Sequence, residues 1–141
     1  MRCDELMKRD VECVGMRDTV QQAARRMRDA NVGFIPVCDE KFRVLGTLTD
    51  RDIAIRLVSD NRPATTEVKE IMSREVVSCR PTDDLERAQR IMAERQKSRL
   101  LVIDQHDKLV GVLSLSDIIE RTDAVRAAQT LQSVASREAH A

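Results

Sequence analysis

Between residues 46 and 53 the chain reads Gly46-Thr47-Leu48-Thr49-Asp50-Arg51-Asp52-Ile53. The apolar residues up to Leu48 indicate a buried strand, and those from Ile53 onward indicate a helix. Thr49 and Asp52 therefore lie at a strand-to-helix turn. The free N–H groups of a helix N-terminus favour a phosphate, and a carboxylate can accept both hydrogen bonds of a ribose diol. The same two residues are equally typical of an ordinary helix cap, so a single copy does not distinguish the two interpretations.

The turn occurs a second time as Gly111-Val112-Leu113-Ser114-Leu115-Ser116-Asp117-Ile118, 65 residues further along the chain. The same offset, held without a gap, pairs identical residues through most of the sequence; examples are Met7 with Met72, Val11 with Val76, Asp18 with Asp83, Met27 with Met92 and Val37 with Val102. A long repeat that fills the chain twice indicates a duplicated small domain. Units of about 60 residues bury little surface alone, so we expect the two to fold together.

Each repeat predicts the order helix, strand, helix, strand, strand, helix. In repeat 1 we expect a short helix over 3–8, a strand over 11–14, a helix from Asp18, and strands over 34–38 and 44–49. In repeat 2 the corresponding elements are 68–73, 76–79, a helix from Asp83, and strands at 102–103 and 109–114. Asp18 with Gln21, and Asp83 with Glu86, have the spacing of capping boxes. The expected fold class is α/β (α+β), with small mixed sheets packed on helices.

The predicted organisation divides the chain into four parts. Repeat 1 covers residues 1–60, a polar linker covers 61–66, repeat 2 covers 67–122, and a helical tail covers 123–141. The linker contains Pro63 and has no apolar periodicity. The tail has no counterpart in repeat 1, and the sequence leaves open whether it is a lid over the molecule or a dimer contact.

This pattern resembles a tandem pair of CBS domains, often called a Bateman module. The resemblance covers roughly residues 6–121 and rests on the two Gly-x-x-[Thr/Ser]-x-x-Asp turns and on the strand segments 34–39 and 99–104. The chain is similar to small stand-alone bacterial CBS-pair proteins, and residues 114–118 also resemble the nucleotide-sensing subunit of the AMP-activated kinase. The resemblance implies two repeats related by a pseudo-two-fold axis.

The resemblance also implies two sites for an adenine nucleotide (AMP, ADP or ATP) in the cleft between the repeats. In the family the Asp holds the ribose, the hydroxyl contacts ribose or phosphate, and the adenine lies between apolar strand residues of the other repeat. One site would combine Thr49 and Asp52 with Val77, Ser78 and Leu100. The other would combine Ser114 and Asp117 with Cys13, Val14, Ile35 and Pro36.

A phosphate also requires positive charge. Arg99 matches the basic position of nucleotide-binding relatives, and an Arg can bind phosphate bidentately. Arg51 and Ser116, inside the turns, are candidates to assist it. Repeat 1 has Phe34 at the position equivalent to Arg99. We therefore expect the two sites to differ, with the better one at Asp52 if Arg99 faces it.

Composition argues against several other classes of function. Lys plus Arg equals Asp plus Glu at 24 each, so there is no basic excess of the kind that nucleic acid attracts. Two Phe and no Tyr or Trp leave few side chains for base stacking. No apolar run reaches the length of a membrane span, and the N-terminal residues lack the apolar core of a signal peptide. A cytoplasmic location is therefore expected.

Catalysis is not expected either. The cysteines and the two histidines show no metal-ligand spacing, and the chain has no phosphate-binding G-x-x-x-x-G-K-[ST] motif. We therefore expect no enzyme activity, no metal and no required cofactor, so that a bound nucleotide would be sensed and not hydrolysed.

Two functions remain open at this stage. The first is a regulatory, signal-transducing module that reports a bound nucleotide to an effector protein in trans. The alternative is a structural or stress-response dimer without nucleotide; the resemblance to stress-induced bacterial CBS-pair proteins makes a Cys13–Cys38 disulfide a candidate stabiliser. A homodimer is expected in both cases, through apolar helix residues at Ala24, Met27, Ile53, Ile55, Ile91, Met92 and Ile119.

Overall fold

The computed structural model describes residues 1–121 and 124–139, which form two compact units. The contiguous unit is Glu12–Val76. The composite unit combines Met1–Val11 with the chain from Val77 onward. Both units contain helices and a small sheet, so the expected mixed α/β class is confirmed.

The described helices are α1 (Cys3–Leu6), α2 (Val20–Ala30), α3 (Asp50–Asp52), α4 (Leu85–Arg95), α5 (Leu115–Ile119) and α6 (Ala124–Ala139). Helix α3 continues as a π-helix over Ile53–Val58, and Val68–Glu70 is a 3-10 turn. The strands are β1 (Phe34–Cys38), β2 (Val44–Thr49), β3 (Ser78–Cys79), β4 (Arg99–Ile103) and β5 (Leu109–Ser114).

The sheets of the two units have the same plan. In the composite unit β3 runs parallel to β4, and β4 runs antiparallel to β5. In the contiguous unit β1 and β2 are antiparallel, and Val14 alone forms a parallel bridge, to Val37. The strand predicted over 11–14 is therefore wrong except at Val14, which exchanges hydrogen bonds with Pro36 and Cys38 before the chain turns at Gly15.

The predicted helix starts are displaced by one residue, to Thr19 and Asp84, and of these two only Thr19 forms a capping box, because the Asp84 side chain makes no cap hydrogen bond. Thr19, not Asp18, caps α2: its Oγ1 accepts from the Gln22 N–H at 3.1 Å, and the Gln22 Oε1 accepts from the Thr19 N–H at 2.9 Å. Asp18 instead closes the preceding turn by accepting from the Gly15 N–H, and Asp83 accepts in the same way from the Arg80 N–H. An Asp side chain stabilises a turn as readily as a cap, which is why spacing alone misplaced the helix start.

Each unit has its own apolar core. In the contiguous unit the predicted face of α2 is buried through Val20, Ala23 and Met27. In the composite unit α6 packs on α4 and α5 and contributes Val134 to the core. Met27 and Met92 are 5% and 0% exposed, so their predicted availability for a dimer interface was wrong. The helix periodicity places both on the core-facing side instead.

The polar segment at 61–66 is hydrogen-bonded to the contiguous unit. Thr66 is buried, and its hydroxyl donates to the Pro63 carbonyl at 2.6 Å. The Thr66 carbonyl accepts from the Val20 N–H, which is one of the free donors at the start of α2. This segment therefore completes the helix N-terminus.

The first residues of each repeat belong to the compact unit formed by the rest of the other repeat. These leading segments are residues 1–11 of repeat 1 and residues 67–76 of repeat 2. Lys8 and Val112 exchange two backbone hydrogen bonds at the edge of β5, and Thr47 and Ser73 do the same at the edge of β2. A glycine adjoins each crossing. A Cβ at Gly46 would lie 2.2 Å from the Ser73 carbonyl oxygen, so the glycine of the repeated turn is required by this close approach of two backbones.

Substitution of Gly46 tests this constraint. Gly46→Ala is expected to lower the free energy of unfolding by about 1–3 kcal/mol, because the new methyl group overlaps backbone that is itself hydrogen-bonded. Gly15→Ala is the matched control in the same unit, since its Cβ would meet only Asp18, at 3.8 Å. Urea unfolding of both variants makes the comparison. Equal stabilities for the two would contradict the proposed role of Gly46.

The hairpin turns predict part of the acid sensitivity. A hydrogen bond from the Arg43 backbone N–H is the main cause that lowers the pKa of Asp39, and one from Lys108 does so for Asp104. A lowered folded-state pKa stabilises the fold above the ordinary value of 3.8, and this stabilisation is lost as the pH falls through the folded value.

The double variant Asp39→Asn with Asp104→Asn is therefore expected to unfold with a shallower dependence on pH in the acid range. Asp60→Asn, at an exposed position, serves as the control. The measurement is the urea midpoint between neutral pH and pH values below the ordinary carboxyl pKa. An unchanged acid limb in the double variant would show that these turns do not contribute.

Candidate functional site

The turn of repeat 1 is a reciprocal helix cap. Thr49 Oγ1 accepts from the Asp52 N–H at 3.0 Å, and Asp52 Oδ2 accepts from the Thr49 N–H at 3.0 Å. Both residues are half-buried. The capping interpretation of the motif therefore holds here. It leaves the carboxylate with further acceptor capacity, because an ionised carboxylate has about four lone-pair sites.

The turn of repeat 2 has the same frame with different hydrogen bonds. Ser114 Oγ accepts from the Asp117 N–H at 3.3 Å and lies 2.5 Å from Asp117 Oδ2. Ser116, which is exposed, places its hydroxyl 3.0 Å from that of Ser114. The polar side chains of Ser114, Ser116 and Asp117 thus converge at the start of α5, and their role in binding a ligand stays a prediction.

A cation that the sequence analysis missed lies next to Asp52. The Nε of Arg56 is 3.9 Å from Asp52 Oδ1, and its Nη1 donates to the carbonyls of Ile71 and Met72 at 3.2 and 3.3 Å. The four-residue spacing from Asp52 was the available signal, because residues i and i+4 share a helix face. Arg51, which was predicted to assist, is exposed and donates its backbone N–H to Asp50.

Strand register places Arg99 opposite Ser114 on neighbouring strands of the composite unit. Directly opposed residues of an antiparallel pair project from the same face of the sheet. Arg99 therefore lies on the face that carries the Ser114 turn. In the contiguous unit Phe34 stands opposite Thr49 in the same way. The charge difference between the repeats is thus present at equivalent places in the two units.

The two repeats also differ at the residue that precedes Phe34 and Arg99, which is Gly33 in repeat 1 and Ser98 in repeat 2. The Gly33 carbonyl accepts from the Asp50 N–H, as the Ser98 carbonyl accepts from the Leu115 N–H. A Cβ at Gly33 would lie 2.9 Å from Asp50 Oδ2. Repeat 1 therefore has Gly33 beside the acidic Asp50 at this place. Repeat 2 has Ser98 beside the apolar Leu115 at the equivalent place.

The predicted adenine-contacting residues differ in exposure. Val14, Ile35, Pro36 and Leu100 are buried in the cores, whereas Cys13, Val77 and Ser78 are half-buried. Of the half-buried residues, Cys13 precedes the bridge residue Val14 in the contiguous unit, and Val77 and Ser78 lie at the start of β3 in the composite unit. Each predicted nucleotide site combines residues of both units, and these two sets of site residues remain predictions. That Arg99 binds the phosphate at the Asp52 site also remains a prediction.

The contiguous unit also carries an open groove between α2 and the start of α3. It measures about 500 Å³ and is lined by Ala24, Met27, Arg28, Asn31, Val32, Gly33, Asp50 and Ile53. At the offset of 65 residues, Asn31 corresponds to Gln96, and Gln96 Nε2 donates to Ser136 of α6 at 3.0 Å. Helix α6 packs on α4 and α5 of the composite unit. Their counterparts in the contiguous unit, α2 and α3, are the helices that border this groove.

All four cysteines are free thiols. Burial raises the pKa of Cys38 to about 12, and the neighbouring Cys13 thiol, which shares a hydrogen bond with it, adds to this effect. Within residues 1–121 and 124–139, no group of three or more His, Cys, Asp or Glu side chains is arranged to hold a metal ion. In the same described part of the chain, no helix is both long and apolar enough to cross a membrane.

Comparison with known proteins assigns the family. The family model of the CBS domain matches residues 3–59 and 68–123, one match for each repeat. The chain belongs to the CBS domain family. Its repeat structure is that of a tandem CBS pair, which confirms the resemblance drawn from the turns and strands.

Among relatives, the CBS domain-containing protein YhcV of Bacillus subtilis (strain 168) is 42% identical over 114 residues, which are 81% of this chain and 80% of the relative. Hypoxic response protein 1 of Mycobacterium tuberculosis (strain H37Rv) is 33% identical over 115 residues, 81% of this chain and 80% of that protein. A crystal structure of Hypoxic Response Protein I with two coordinated zinc ions aligns with a TM-score of 0.79, at 29% identity, over 87% of this chain and all of that one.

A second similar structure is the cytosolic domain of the Mg²⁺ channel MgtE in complex with ATP. It aligns with a TM-score of 0.75 at 30% identity. The alignment covers 86% of this CBS pair and 48% of the MgtE chain.

Ser114 and Ser116 allow the structural role of the turn to be measured. Ser114→Ala is expected to lower the free energy of unfolding by about 1 kcal/mol, because the first turn of α5 loses its cap. Ser116→Ala is the control within the same turn and is expected to change stability by less than about 0.5 kcal/mol, as an exposed site. Equal losses in urea unfolding would show that the cap is not formed.

Proposed function

We propose that this CBS pair is a non-catalytic regulatory module that binds an adenine nucleotide and signals to an effector protein in trans. The observation that carries the proposal is the repeated turn: each repeat presents a hydroxyl and a carboxylate at a helix N-terminus. A protein that needed only a capped helix could use many other residue pairs. The same pair in both repeats fits recognition of a ribose and its phosphate.

The chemistry of the turn suits a ribose 5′-phosphate. Asp52 uses Oδ2 for the Thr49 N–H, and the carboxylate keeps acceptor sites for the two hydroxyls of a ribose. The helix N-terminus favours the phosphate through its dipole. The ATP complex of the MgtE cytosolic domain, at 30% identity to this chain, supports an adenine nucleotide as the ligand.

The two repeats are proposed to bind with unequal affinity. Arg99 supplies a guanidinium on the face that carries the Ser114 turn, whereas Phe34 holds the equivalent position beside Thr49. Arg56 is the cation nearest to Asp52 among the contacts described above, and it is engaged with two carbonyls. A phosphorylated ligand is therefore favoured where Arg99 contributes, and the other site suits a less charged adenosine compound.

We further propose that the module acts as a homodimer. Ile55 and Val58 of the π-helix are 50% and 68% exposed, and they extend the apolar surface of the contiguous unit. Ile119 in the composite unit is 37% exposed. Exposed apolar surface of this kind is typical of interfaces, and a two-fold dimer would bury it on both copies.

The adjoining thiols of Cys13 and Cys38 support a second candidate function. In that case the protein is a structural or stress-response dimer without nucleotide, stabilised by a disulfide between these two residues. Its signature would be a folded dimer that responds to oxidation and not to any nucleotide.

A thermal-shift titration with AMP, ADP, ATP and S-adenosylmethionine tests the proposal, read by calorimetry because the chain lacks Trp and Tyr. A ligand at a hundred times its Kd adds about 2.7 kcal/mol, which corresponds to a rise of several degrees in Tm. The variant Asp52→Asn with Asp117→Asn is expected to abolish this rise. Asparagine retains a side-chain oxygen for the caps, so the variant should remain folded.

The matched control is Asp60→Asn with Glu120→Gln, which removes the same charge from exposed positions. It should respond to the nucleotide as the unmodified chain does. A rise in Tm that survives in the Asp52 and Asp117 double variant would reject these carboxylates as ligands. The absence of any rise with all four compounds would reject nucleotide sensing and favour the structural dimer.

A further inference from the structure

A second pair of cysteines lies in the core of the composite unit. Cys79 Sγ donates to Cys3 Sγ at a distance of 3.7 Å, and Cys3 Sγ is 3.9 Å from the Asp84 carbonyl oxygen. The two residues are 4% and 0% exposed. They are 76 positions apart in the sequence, so only the return of the N-terminal segment to this unit brings them together.

The other repeat shows that the fold does not require sulfur at these positions. At the offset of 65 residues, Cys3 corresponds to Val68 and Cys79 corresponds to Val14. Both valines are buried in the core of the contiguous unit, at 0% and 2% exposure. Two thiols thus replace two apolar side chains at equivalent core positions.

We propose that Cys3 and Cys79 form a reversible disulfide, and that this dithiol is a modification site for low-molecular-weight disulfides. The site is distinct from the Cys13–Cys38 pair, which lies in the contiguous unit. The proposal rests on the sulfur–sulfur contact and not on nucleotide binding, so it stands or falls independently of the proposed function.

The reaction is a pair of thiol–disulfide exchanges. The Cys3 thiolate attacks one sulfur of oxidised glutathione, which breaks the S–S bond and releases one glutathione thiolate. Cys79, after losing its proton, then attacks the Cys3 sulfur of the mixed disulfide and releases the second glutathione. The two thiol protons pass to the two departing thiolates. The protein dithiol is oxidised by two electrons, and one glutathione disulfide is reduced to two thiols.

Electrostatics favours Cys3 as the residue that reacts first. The hydrogen bond donated by Cys79 lowers the pKa of Cys3, whereas the contact with Cys3, followed by burial, raises that of Cys79. A thiolate is the nucleophile in exchange, so the more acidic member of the pair is the attacking one.

The two buried sulfurs become accessible to a disulfide reagent when the short helix α1 opens locally. This helix has four residues, and its own attachments are the backbone hydrogen bonds from Cys3 to Asp83 and from Asp4 to Pro81. Flanking backbone bonds join Met1 to Leu85 and Lys8 to Val112, so the opening is a local one, confined to α1. A short element of this kind opens locally at a lower free energy than that of global unfolding. Opening of α1 exposes Cys3 and uncovers Cys79, and closing returns the two sulfurs to contact.

The disulfide would connect residue 3 to residue 79 and so close a covalent loop that contains the entire contiguous unit. A loop of this length restricts the unfolded chain strongly, and the stabilisation grows with loop length. Oxidation is therefore expected to raise the Tm by roughly 5–10 °C and to hold α1 in place.

Peptide mapping of the full chain tests the site. The reduced protein is incubated with oxidised glutathione, alkylated and digested with trypsin. The four cysteines then fall in four different peptides: Cys3 in 3–8, Cys13 in 10–17, Cys38 in 29–41 and Cys79 in 75–87. The expected product is 3–8 linked to 75–87, together with a rise in Tm that dithiothreitol reverses.

Two double variants serve as controls. Cys13→Ala with Cys38→Ala should retain both the linked peptide and the rise in Tm. Cys3→Val with Cys79→Val, which copies the residues of the other repeat, should fold in the reduced state and lose both effects. Recovery of 3–8 and 75–87 only as alkylated or glutathione-bound peptides, even after incubation just below the Tm, would overturn the proposal. So would a rise in Tm that persists in the valine variant.

Discussion

Backbone meets backbone without an intervening side chain beside Gly46 and Gly111, and much of the structure depends on these two crossings. Thr47 pairs with Ser73 at one of them, and Val112 pairs with Lys8 at the other. The pairing adds an edge to each sheet and attaches the leading segment of one repeat to the unit of the other. A Cβ at Gly46 would lie 2.2 Å from the Ser73 carbonyl oxygen, and one at Gly111 would lie 2.6 Å from the Met7 sulfur and 2.9 Å from the Lys8 carbonyl oxygen. The first residue of the repeated motif is thus a steric requirement of the fold.

The last residues of the motif have two roles that are chemically compatible. A hydroxyl and a carboxylate three residues apart close the first turn of a helix, and in doing so they become fixed in position. Groups that are held rigidly cost less entropy when a ligand uses them. The cap and the proposed ligand site therefore do not compete as explanations, because the first preorganises the second.

The sequence predicted those parts of the structure that repeat. Matching Gly46 with Gly111 located strands β1, β2 and β5, and the apolar face of α2, because periodicity and duplication gave the same answer. Prediction failed where neighbouring residues offered similar chemistry. Asp18 and Thr19 are both good caps, but Asp18 accepts from the Gly15 N–H of the preceding turn, and Thr19 accepts from the Gln22 N–H of the helix. Arg56 was missed although its four-residue spacing from Asp52 is a local signal. The Cys3–Cys79 contact was missed because a long-range juxtaposition leaves no local pattern, although the offset of 65 residues pairs both cysteines with valines.

The exchange of leading segments has a consequence for biosynthesis. The contiguous unit can be completed once residue 76 has left the ribosome, because all of its strands and helices are then available. Residues 1–11 are made before this unit, yet their partners at Asp83 and on β5 appear only about 80 to 100 residues later, after the contiguous unit has been translated. During this interval residues 1–11 lack the partners that they have in the folded unit, and Cys3 is exposed to the thiols and disulfides that surround the nascent chain.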